Sequence, residues 1–262
     1  MVRTYLLLAW TWTRAGAAHR GSFALMVAIG FVTACLDVSV ILVIFANTTT
    51  LAGFTRAEVL FLYGTSNTAF TTVDLLFSNL DRVGLHIKAG TFDTMLIRPV
   101  SSWVQAATDR FLPARIARVA QALIVLGYAL SQLDLDPWRL WMIPVMIACG
   151  IVIYVALWTF AGALMFVLTD ATEVTSSFTY GTGQLTQYPF SIYGRDLVRG
   201  ATYVLPLAFI NWQPGLYVLG HEDPFGTPGF MRFLAPVAAV VLAVLSGFAW
   251  RWGIRRYRST GS

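Results

Sequence analysis

The chain has 262 residues, of which 57% are hydrophobic and only 12% are charged, with 18 Lys+Arg against 13 Asp+Glu. Soluble domains carry roughly 25% charged residues, and a soluble fold could not bury this much apolar surface, so the composition excludes an ordinary soluble protein and predicts an integral membrane protein. In a membrane protein, an excess of basic residues indicates first how the chain is oriented across the membrane. We expect no nucleic-acid partner.

Residues 1–22 are predicted to form a helix that lies in the membrane interface. Trp10 and Trp12 stand among leucines and are flanked by arginines, a pattern that places tryptophans at headgroup depth. The alternative is a signal peptide that ends near residues 15–17. The sequence favours the interfacial helix, because polar residues interrupt the apolar part and a full-length span follows directly.

Six spanning segments are predicted within residues 23–252, which form one transmembrane domain of an all-α membrane protein. They are expected at residues 23–46, 58–80, 116–133, 138–168, 174–188 and 233–252. The fifth is polar and shorter than the ~20 residues that a full crossing needs.

Two connections and the tail have features of their own. A polar, basic loop covers residues 81–110. Residues 189–220 alternate apolar patches with prolines and glycines, which predicts broken helices that dip back into the membrane as a re-entrant hairpin, packed in protein or lining a cavity. A basic tail over residues 253–262 follows the last span.

The distribution of basic residues predicts the orientation. Thirteen of the 18 Lys+Arg lie at the two ends and within residues 81–118, and five lie in the other connections. Since basic residues favour the cytoplasmic side, both termini are predicted to be cytoplasmic, which requires an even number of spans. The Arg- and Ala-rich usage favours a bacterial source, and therefore a multi-pass protein of a bacterial plasma membrane.

The sequence lacks the residues that several kinds of functional site need. The only lysine, Lys88, is followed by Ala89, whereas a P-loop requires lysine followed by Ser or Thr. We therefore expect no cofactor on this chain, and ATP and Mg on a partner chain if ATP is used. Cys35 and Cys149 lie in apolar runs, and no Cys/His spacing suggests zinc.

Two carboxylates fall inside predicted spans, where an ionisable group is a functional candidate by default. At a rise of 1.5 Å per residue, Asp37 lies roughly 21 Å into the first span and Asp74 roughly 9 Å from the inner end of the second. They differ in depth by about 12 Å and are not expected to form a dyad. Asp37 is either a cation or proton site or, as we favour, a carboxylate that is hydrogen-bonded to hydroxyl groups or faces a wet cavity.

A polar run in the fifth span has two interpretations, and the sequence favours neither. The run lines a translocation path, or its small and hydroxylated residues let membrane helices pack closely. Its members are Thr175, Ser176, Ser177, Thr179, Thr182, Gln184, Thr186 and Gln187. The predicted path residues are Asp37, Asp74, Thr179, Gln184, Gln187 and Tyr188.

The loop between the second and third spans carries the most information. Residues 84–98 mix apolar and charged side chains and end at Pro99. Phe92, Met95 and Leu96 fall on one helical face at spacings of three and four. A short amphipathic helix on the cytoplasmic side suits docking into a groove of a partner.

Two strings of residues resemble a known family. The loop residues Gly90-Thr91-Phe92-Asp93, Leu96-Ile97-Arg98-Pro99 and Ser101 resemble the loop signature of a permease family among type-2 ATP-binding-cassette (ABC) exporters. The later string resembles that of the roughly 260-residue permeases grouped with daunorubicin-type and viologen-type exporters, and the resemblance covers most of the chain. The later string comprises Tyr188-Pro189, Ile192-Tyr193, Pro206, Ala208-Phe209, Pro214, Leu219-Gly220, Asp223-Pro224 and Gly226.

The sequence departs from the family pattern at two positions. Gly194 stands where proline is usual, and Gly215 stands where alanine is usual. Both glycines are expected to loosen the external hairpin locally.

The resemblance implies a fold and a set of partners. The fold has six spans, an interfacial first helix, a coupling helix between spans two and three, and two short re-entrant helices before the last span. The implied partners are two cytoplasmic ABC ATPase subunits, a second permease (a related different chain or a second copy) and membrane lipid. The implied coupling residues are Gly90, Phe92, Asp93, Leu96, Arg98 and Pro99.

The implied function is that of a permease subunit with no ATPase site of its own. Closure of the ATPase dimer on ATP would push the coupling helices and open the cavity between the permeases outward. Two alternatives remain: an ion- or proton-coupled secondary transporter that uses Asp37, and a non-transporting membrane assembly subunit.

Overall fold

The computed structural model describes residues 20–77, 79–109, 113–168 and 172–257. Within these ranges the chain is helical, and its one β-like feature is an isolated bridge between Leu51 and Phe54. Most of the predicted interfacial helix and the end of the basic tail lie outside the described residues. The all-α fold class is confirmed.

Eleven α-helices lie in the described ranges, and six of them match the predicted spans to within a few residues: α1, α2, α6, α7, α8 and α11. The helices are α1 Arg20–Asn47, α2 Arg56–Phe77, α3 Val83–Lys88, α4 Phe92–Ile97, α5 Ser102–Thr108, α6 Ile116–Gln132, α7 Met142–Leu164, α8 Thr172–Leu185, α9 Arg195–Arg199, α10 Trp212–Leu219 and α11 Ala235–Arg256.

Three helical segments of the described chain are long and apolar enough to cross a membrane: Phe23–Asn47, Pro137–Leu164 and Ala235–Arg256. The other three predicted spans fall short for different reasons. Helix α6 is apolar but has 17 residues, α8 has 14 residues, and α2 has 22 residues but carries many polar ones. The six-span topology therefore stays a prediction.

Helix α2 lies at the centre of the fold. Fifteen of its 22 residues are buried, including Thr65, Ser66, Asn67 and Asp74. It packs chiefly on α6 and α7 and also contacts α1, α8 and α10. A helix that is enclosed by other helices can carry polar side chains, because neighbouring helices supply their hydrogen-bond partners. This enclosure explains why α2 is less apolar than the lipid-exposed helices.

Helices α7 and α11 form the most extensive helix pair. A Cβ atom built on Gly253 lies 3.0 Å from the carbonyl oxygen of Ala163, and one on Gly162 lies 3.1 Å from the Trp250 ring. The C-terminal ends of the two helices therefore lie side by side, and the helices run parallel. This arrangement agrees with the predicted orientation, in which both helices run toward the cytoplasm.

The segment after α8 is broken into short pieces, as the prolines and glycines predict. Single turns at Phe190–Ile192 and Leu207–Phe209 alternate with α9, with a π-helical turn at Gly200–Val204, and with α10. Helix α10 ends at Gly220, whose φ of 76° is the left-handed conformation that favours glycine at a helix end.

The expectation that Gly215 loosens this segment is wrong. Gly215 is buried in α10, and a Cβ atom at this position would lie 2.6 Å from Leu62 Cδ2 of α2. The tip of the Leu62 side chain therefore occupies the place that a Cβ atom would take, and the glycine leaves no open space at this position. At Gly194, which precedes α9, a Cβ atom would meet nothing within 4 Å.

Candidate functional site

Three short helices, α3, α4 and α5, follow the C-terminal end of α2 within the predicted coupling loop, residues 81–110, which is called the coupling segment below and is described up to residue 109. The turn Leu80–Arg82 leads into α3, and Gly90, with a φ of 67°, turns the chain into α4. Arg98 is extended, with φ −76° and ψ 146°, because the residue before a proline is kept out of the helical conformation. Pro99 therefore ends α4.

Phe92 anchors α4 to the ends of two spanning helices. Its side chain is fully buried, and its ring centroid lies 4.9 Å from that of Phe166 and 5.1 Å from that of Tyr257. Phe166 follows α7, and Tyr257 follows α11. Any displacement of α4 would therefore act directly on the ends of α7 and α11.

Two of the three residues on the face of α4 that the sequence predicted to dock into a partner pack against the chain itself. Phe92 and Met95 are buried, whereas Leu96 is 42% exposed and Ile97 is 84% exposed. The spacing placed Phe92 and Met95 on one face correctly, but tertiary packing covers that face. The surface that α4 leaves open is formed by Leu96, Ile97 and Arg98 instead.

Hydrogen bonds hold the coupling segment in place. Gln105 Nε2 in α5 donates to the carbonyl oxygen of Met95 at 2.8 Å, which fixes the end of α4. His86 lies between two partners, with Nδ1 3.0 Å from Thr91 Oγ1 and Nε2 3.0 Å from Asp109 Oδ2. These hydrogen bonds therefore hold α3 and α4 against each other and against α5.

A polar pocket of about 440 Å³ opens beside α4. Arg82 and Arg98 line it, and within the described ranges no carboxylate lies at ion-pair distance from either guanidinium. Asp93 is half-buried in the first turn of α4, where a carboxylate favours the helix dipole. The open surface of the segment is thus apolar at Ile97, and the pocket beside it carries two arginines together with the Asp109 carboxylate, which lies 3.0 Å from His86.

Asp74 lies at a junction of three helices. Its carboxylate is 1% exposed and lies 3.1 Å from Arg115 Nη1 and 3.3 Å from Arg118 Nη1. Tyr180 of α8 donates its hydroxyl to Asp74 Oδ1 at 3.1 Å. A buried carboxylate needs such compensation, and the cluster joins α2, the start of α6 and α8.

Sequence reasoning missed the two arginines of this cluster. Arg115 and Arg118 were counted as cytoplasmic loop charges, whereas their side chains turn back onto Asp74. A signal was available: a carboxylate inside a predicted span calls for a cationic partner, and Arg118 lies within the third predicted span.

One face of α8 packs on the fold through hydroxyl groups. Thr186, just after α8, lies 2.8 Å from the Ser66 hydroxyl and 2.5 Å from the Tyr154 hydroxyl, both oxygen to oxygen. Asn211 Nδ2 donates to the carbonyl oxygens of Thr186 at 2.5 Å and Leu62 at 3.2 Å. These contacts support the interpretation that hydroxyl groups of the polar run serve helix packing.

The opposite face of α8 is exposed, and two of its residues, Ser177 and Gly181, line an open groove whose other wall lies within residues 196–207. Val174, Ser177, Gly181 and Gln184 are exposed and recur every three or four residues, which places them along one side of the helix. The predicted path residues are thus divided: Gln184 lies on this exposed face, whereas Asp74, Thr179 and Gln187 are buried.

Asp37 lies half-buried on α1 and shares the electrostatic neighbour Arg118 with Asp74. In the described part of the chain its carboxylate makes no hydrogen bond or ion pair, so the expected bond to a hydroxyl group is not present there, and its electrostatic neighbours are Arg118, Tyr63 and Tyr188. The structure thereby brings Asp37 and Tyr188 into one neighbourhood. Within the described ranges, no group of three His, Cys, Asp or Glu side chains is placed to hold a metal ion.

A family model described as ABC-2 family transporter protein matches residues 31–261. The match covers the coupling segment, all the helices from α2 onward and most of α1. The chain belongs to this family, whose members are membrane components of ABC transporters. No curated protein and no solved structure matches the chain significantly.

Proposed function

We propose that the chain is the permease subunit of an ATP-driven ABC exporter, powered by ATPase subunits that bind ATP and Mg on its cytoplasmic face. The observation that carries the proposal is the coupling segment, in which a six-residue helix is anchored by Phe92 and leaves Leu96, Ile97 and Arg98 uncovered. An exposed isoleucine beside a basic pocket suits a partner that offers an apolar groove with acidic residues at its edge.

The same segment supplies a route for mechanical input. A push on α4 reaches α7 and α11 through the Phe92 contacts with Phe166 and Tyr257. The turn Leu80–Arg82 connects the segment to α2, whose end is joined to α6 and α8 through Asp74. Packed cores shift between discrete arrangements rather than deforming continuously, so a displacement of α4 would move these helices as bodies.

The translocation path is proposed to lie between this chain and a second permease, a related chain or a second copy. The exposed face of α8, which carries Ser177, Gly181 and Gln184, offers small and polar residues beside the open groove that α8 forms with residues 196–207. Asp37 and Tyr188 lie half-buried in one neighbourhood and would border the same path. Asp74 and Thr179 act in packing instead.

The proposed setting is a bacterial plasma membrane, with both termini and the coupling segment in the cytoplasm. The asymmetry of basic residues supports this orientation. The parallel course of α7 and α11 supports it as well, because both helices then end at the face that carries the coupling segment.

Transport and assembly in membrane vesicles test the proposal. Arg98→Glu reverses a charge on the open surface of α4, and we expect it to reduce co-purification of the ATPase and ATP-dependent export at least tenfold. Arg195→Glu, a charge reversal at an exposed arginine on the predicted outer side, is the matched control and should leave both unchanged. Equal effects of the two variants, or export without any ATPase, would contradict the proposal.

The two alternative functions give different results in the same vesicles. A secondary transporter would stop when an ionophore collapses the ion gradient and would lose activity in Asp37→Asn. An ABC exporter would stop on ATP depletion and tolerate the ionophore. A non-transporting assembly subunit would co-purify with partners but move no cargo under either condition.

A further inference from the structure

We infer that a groove on the lipid-facing side of α7 and α11 binds an anionic phospholipid of the cytoplasmic leaflet. The groove has a volume of about 520 Å³ and lies between these two helices, with α5 and the end of α2 at one end. It is separate from the coupling surface and from the exposed face of α8. No residue of the proposed transport path lines it.

The floor of the groove is made by small side chains. Ala156 of α7 faces Ala243 and Gly247 of α11, and a Cβ atom built on Gly247 would meet nothing within 4 Å. Val152 and Trp250 stand at its sides. Small residues between larger ones leave a channel along the helices, which is the shape that an acyl chain occupies.

Most polar groups of the groove lie at one end, whereas Ser246, on the floor, donates its hydroxyl to the carbonyl oxygen of Ala243. Arg251 and Ser101 line it there, together with Trp103, whose Nε1 donates to Thr159 Oγ1 at 3.0 Å. Arg251 is exposed, and no carboxylate of the described residues lies at ion-pair distance from it. A free guanidinium at the end of an apolar channel matches a phosphate attached to an acyl chain.

The depth of Arg251 fits the headgroup level of the cytoplasmic leaflet. Arg251 follows Ala235, the first residue of α11, by 16 positions, which is roughly 24 Å at the helical rise and brings it close to the inner boundary of a ~30 Å hydrocarbon core. The cytoplasmic leaflet carries anionic lipids that attract basic residues near the membrane ends of helices. The charge at this position therefore favours an anionic lipid over a helix of another protein.

Native mass spectrometry of the full chain, released from micelles that contain phosphatidylglycerol or phosphatidylcholine with the same acyl chains, tests the inference. We expect phosphatidylglycerol to be retained preferentially. Arg251→Gln should reduce its retention about fivefold, the effect of one arginine at an anionic surface. Arg255→Gln removes the same charge one turn further along α11, outside the groove, and should leave retention unchanged.

A second pair of variants tests the channel itself. Gly247→Leu places a side chain in open space within the groove and should reduce retention of both lipids without unfolding the chain. Gly127→Leu, at a position of α6 where a Cβ atom also meets nothing within 4 Å, is the matched control. Equal retention of the two lipids in the native protein, or equal losses in Arg251→Gln and Arg255→Gln, would overturn the inference.

A protein occupant would give a distinct result. If Gly247→Leu released a partner permease while phosphatidylglycerol retention stayed at the native level, the groove would be a protein interface and the inference would be wrong. Because lipid retention is measured without ATP or an ATPase, the result does not depend on the proposed transport function.

Discussion

Asp74 shows how a single buried charge can hold a membrane fold together. Its carboxylate receives two guanidinium groups and the Tyr180 hydroxyl while it is almost fully buried. Both arginines retain some exposure, 18% for Arg115 and 28% for Arg118, so their charges remain partly hydrated. The two guanidinium groups are therefore partly stabilised by water, whereas the buried Asp74 carboxylate depends on them to compensate its charge.

Asp74→Asn should destabilise the fold, because it leaves two cations facing a neutral amide. We expect a loss of about 2 kcal/mol in the free energy of unfolding, measured by denaturant titration in detergent. Asp134→Asn, at an exposed carboxylate, should change stability by less than about 0.5 kcal/mol. If Asp74→Asn were as stable as the native chain, the cluster would have no structural role.

Phe92 and Ile97 belong to one six-residue helix but should respond to mutation in opposite ways. Phe92→Ala removes a fully buried ring from contacts with Phe166 and Tyr257 and should cost about 3 kcal/mol of stability. Ile97→Ala, at a side chain that is 84% exposed, should leave stability nearly unchanged and weaken ATPase binding. Thermal unfolding and co-purification separate the two effects, and similar unfolding temperatures for both variants would contradict the assigned burial.

At the scale of helices, the sequence predicted well which helices exist and approximately where they end. It predicted poorly which helices contact one another. Long apolar runs gave α1, α7 and α11, and Pro99 gave the end of α4, because hydropathy and proline geometry act locally. Which side of α4 is covered depends on Phe166 and Tyr257, which lie far away in sequence. Periodicity defines a face but does not identify what packs on it.

The same distinction explains the polar residues of α2 and α8. Their composition suggested either a path or close packing, and the structure divides them by face: Thr186 bonds to Ser66 and Tyr154, whereas Gln184 is exposed. A hydroxyl group suits both roles chemically. Only the position of neighbouring helices distinguishes them, and local sequence does not encode that position.

Gly162 sets the distance between α7 and the coupling segment. A Cβ atom at this position would lie 2.4 Å from the carbonyl oxygen of Leu80, so Gly162→Ala must push the turn Leu80–Arg82 away from α7. We expect a loss of about 2 kcal/mol in unfolding free energy and weaker coupling of ATP hydrolysis to export. Gly127→Ala, where the added Cβ meets open space, is the control and should not destabilise the chain, because alanine favours a helix by about 1 kcal/mol over glycine. A Gly162→Ala variant that matched this control would rule out the close approach.

At the scale of the whole molecule, the lipid-exposed helices enclose a more polar centre. Helices α1, α7 and α11 meet the length and hydropathy of spanning helices, while α2, α6 and α8 contribute the buried polar contacts between them. A subunit that pairs with another permease needs fewer lipid-facing surfaces, because part of its perimeter faces protein. A six-span fold is therefore compatible with the finding that only three helices of the described chain are strongly apolar.

The number of spans has a direct test that separates six from four. With Cys35 and Cys149 replaced by serine and alanine, the variants Thr94→Cys, Asp134→Cys and Glu222→Cys are each labelled in intact cells with a membrane-impermeant maleimide. Six spans place Asp134 and Glu222 on the outer side and Thr94 on the inner side. If α2 and α6 did not cross, Asp134 would share the side of Thr94, because no span would separate them, and α7 and α11 would still run in the same direction.

We expect Asp134→Cys and Glu222→Cys to react in intact cells, and Thr94→Cys to react only after permeabilisation. Asp134 and Glu222 are exposed positions outside the helices, and Thr94 is exposed on α4, so access depends on the side of the membrane rather than on burial. The parent chain without cysteine gives the background. Labelling of Asp134→Cys and Thr94→Cys under the same condition, in intact cells or only after permeabilisation, would show that α6 does not span, and the charge-based orientation would then fail with it.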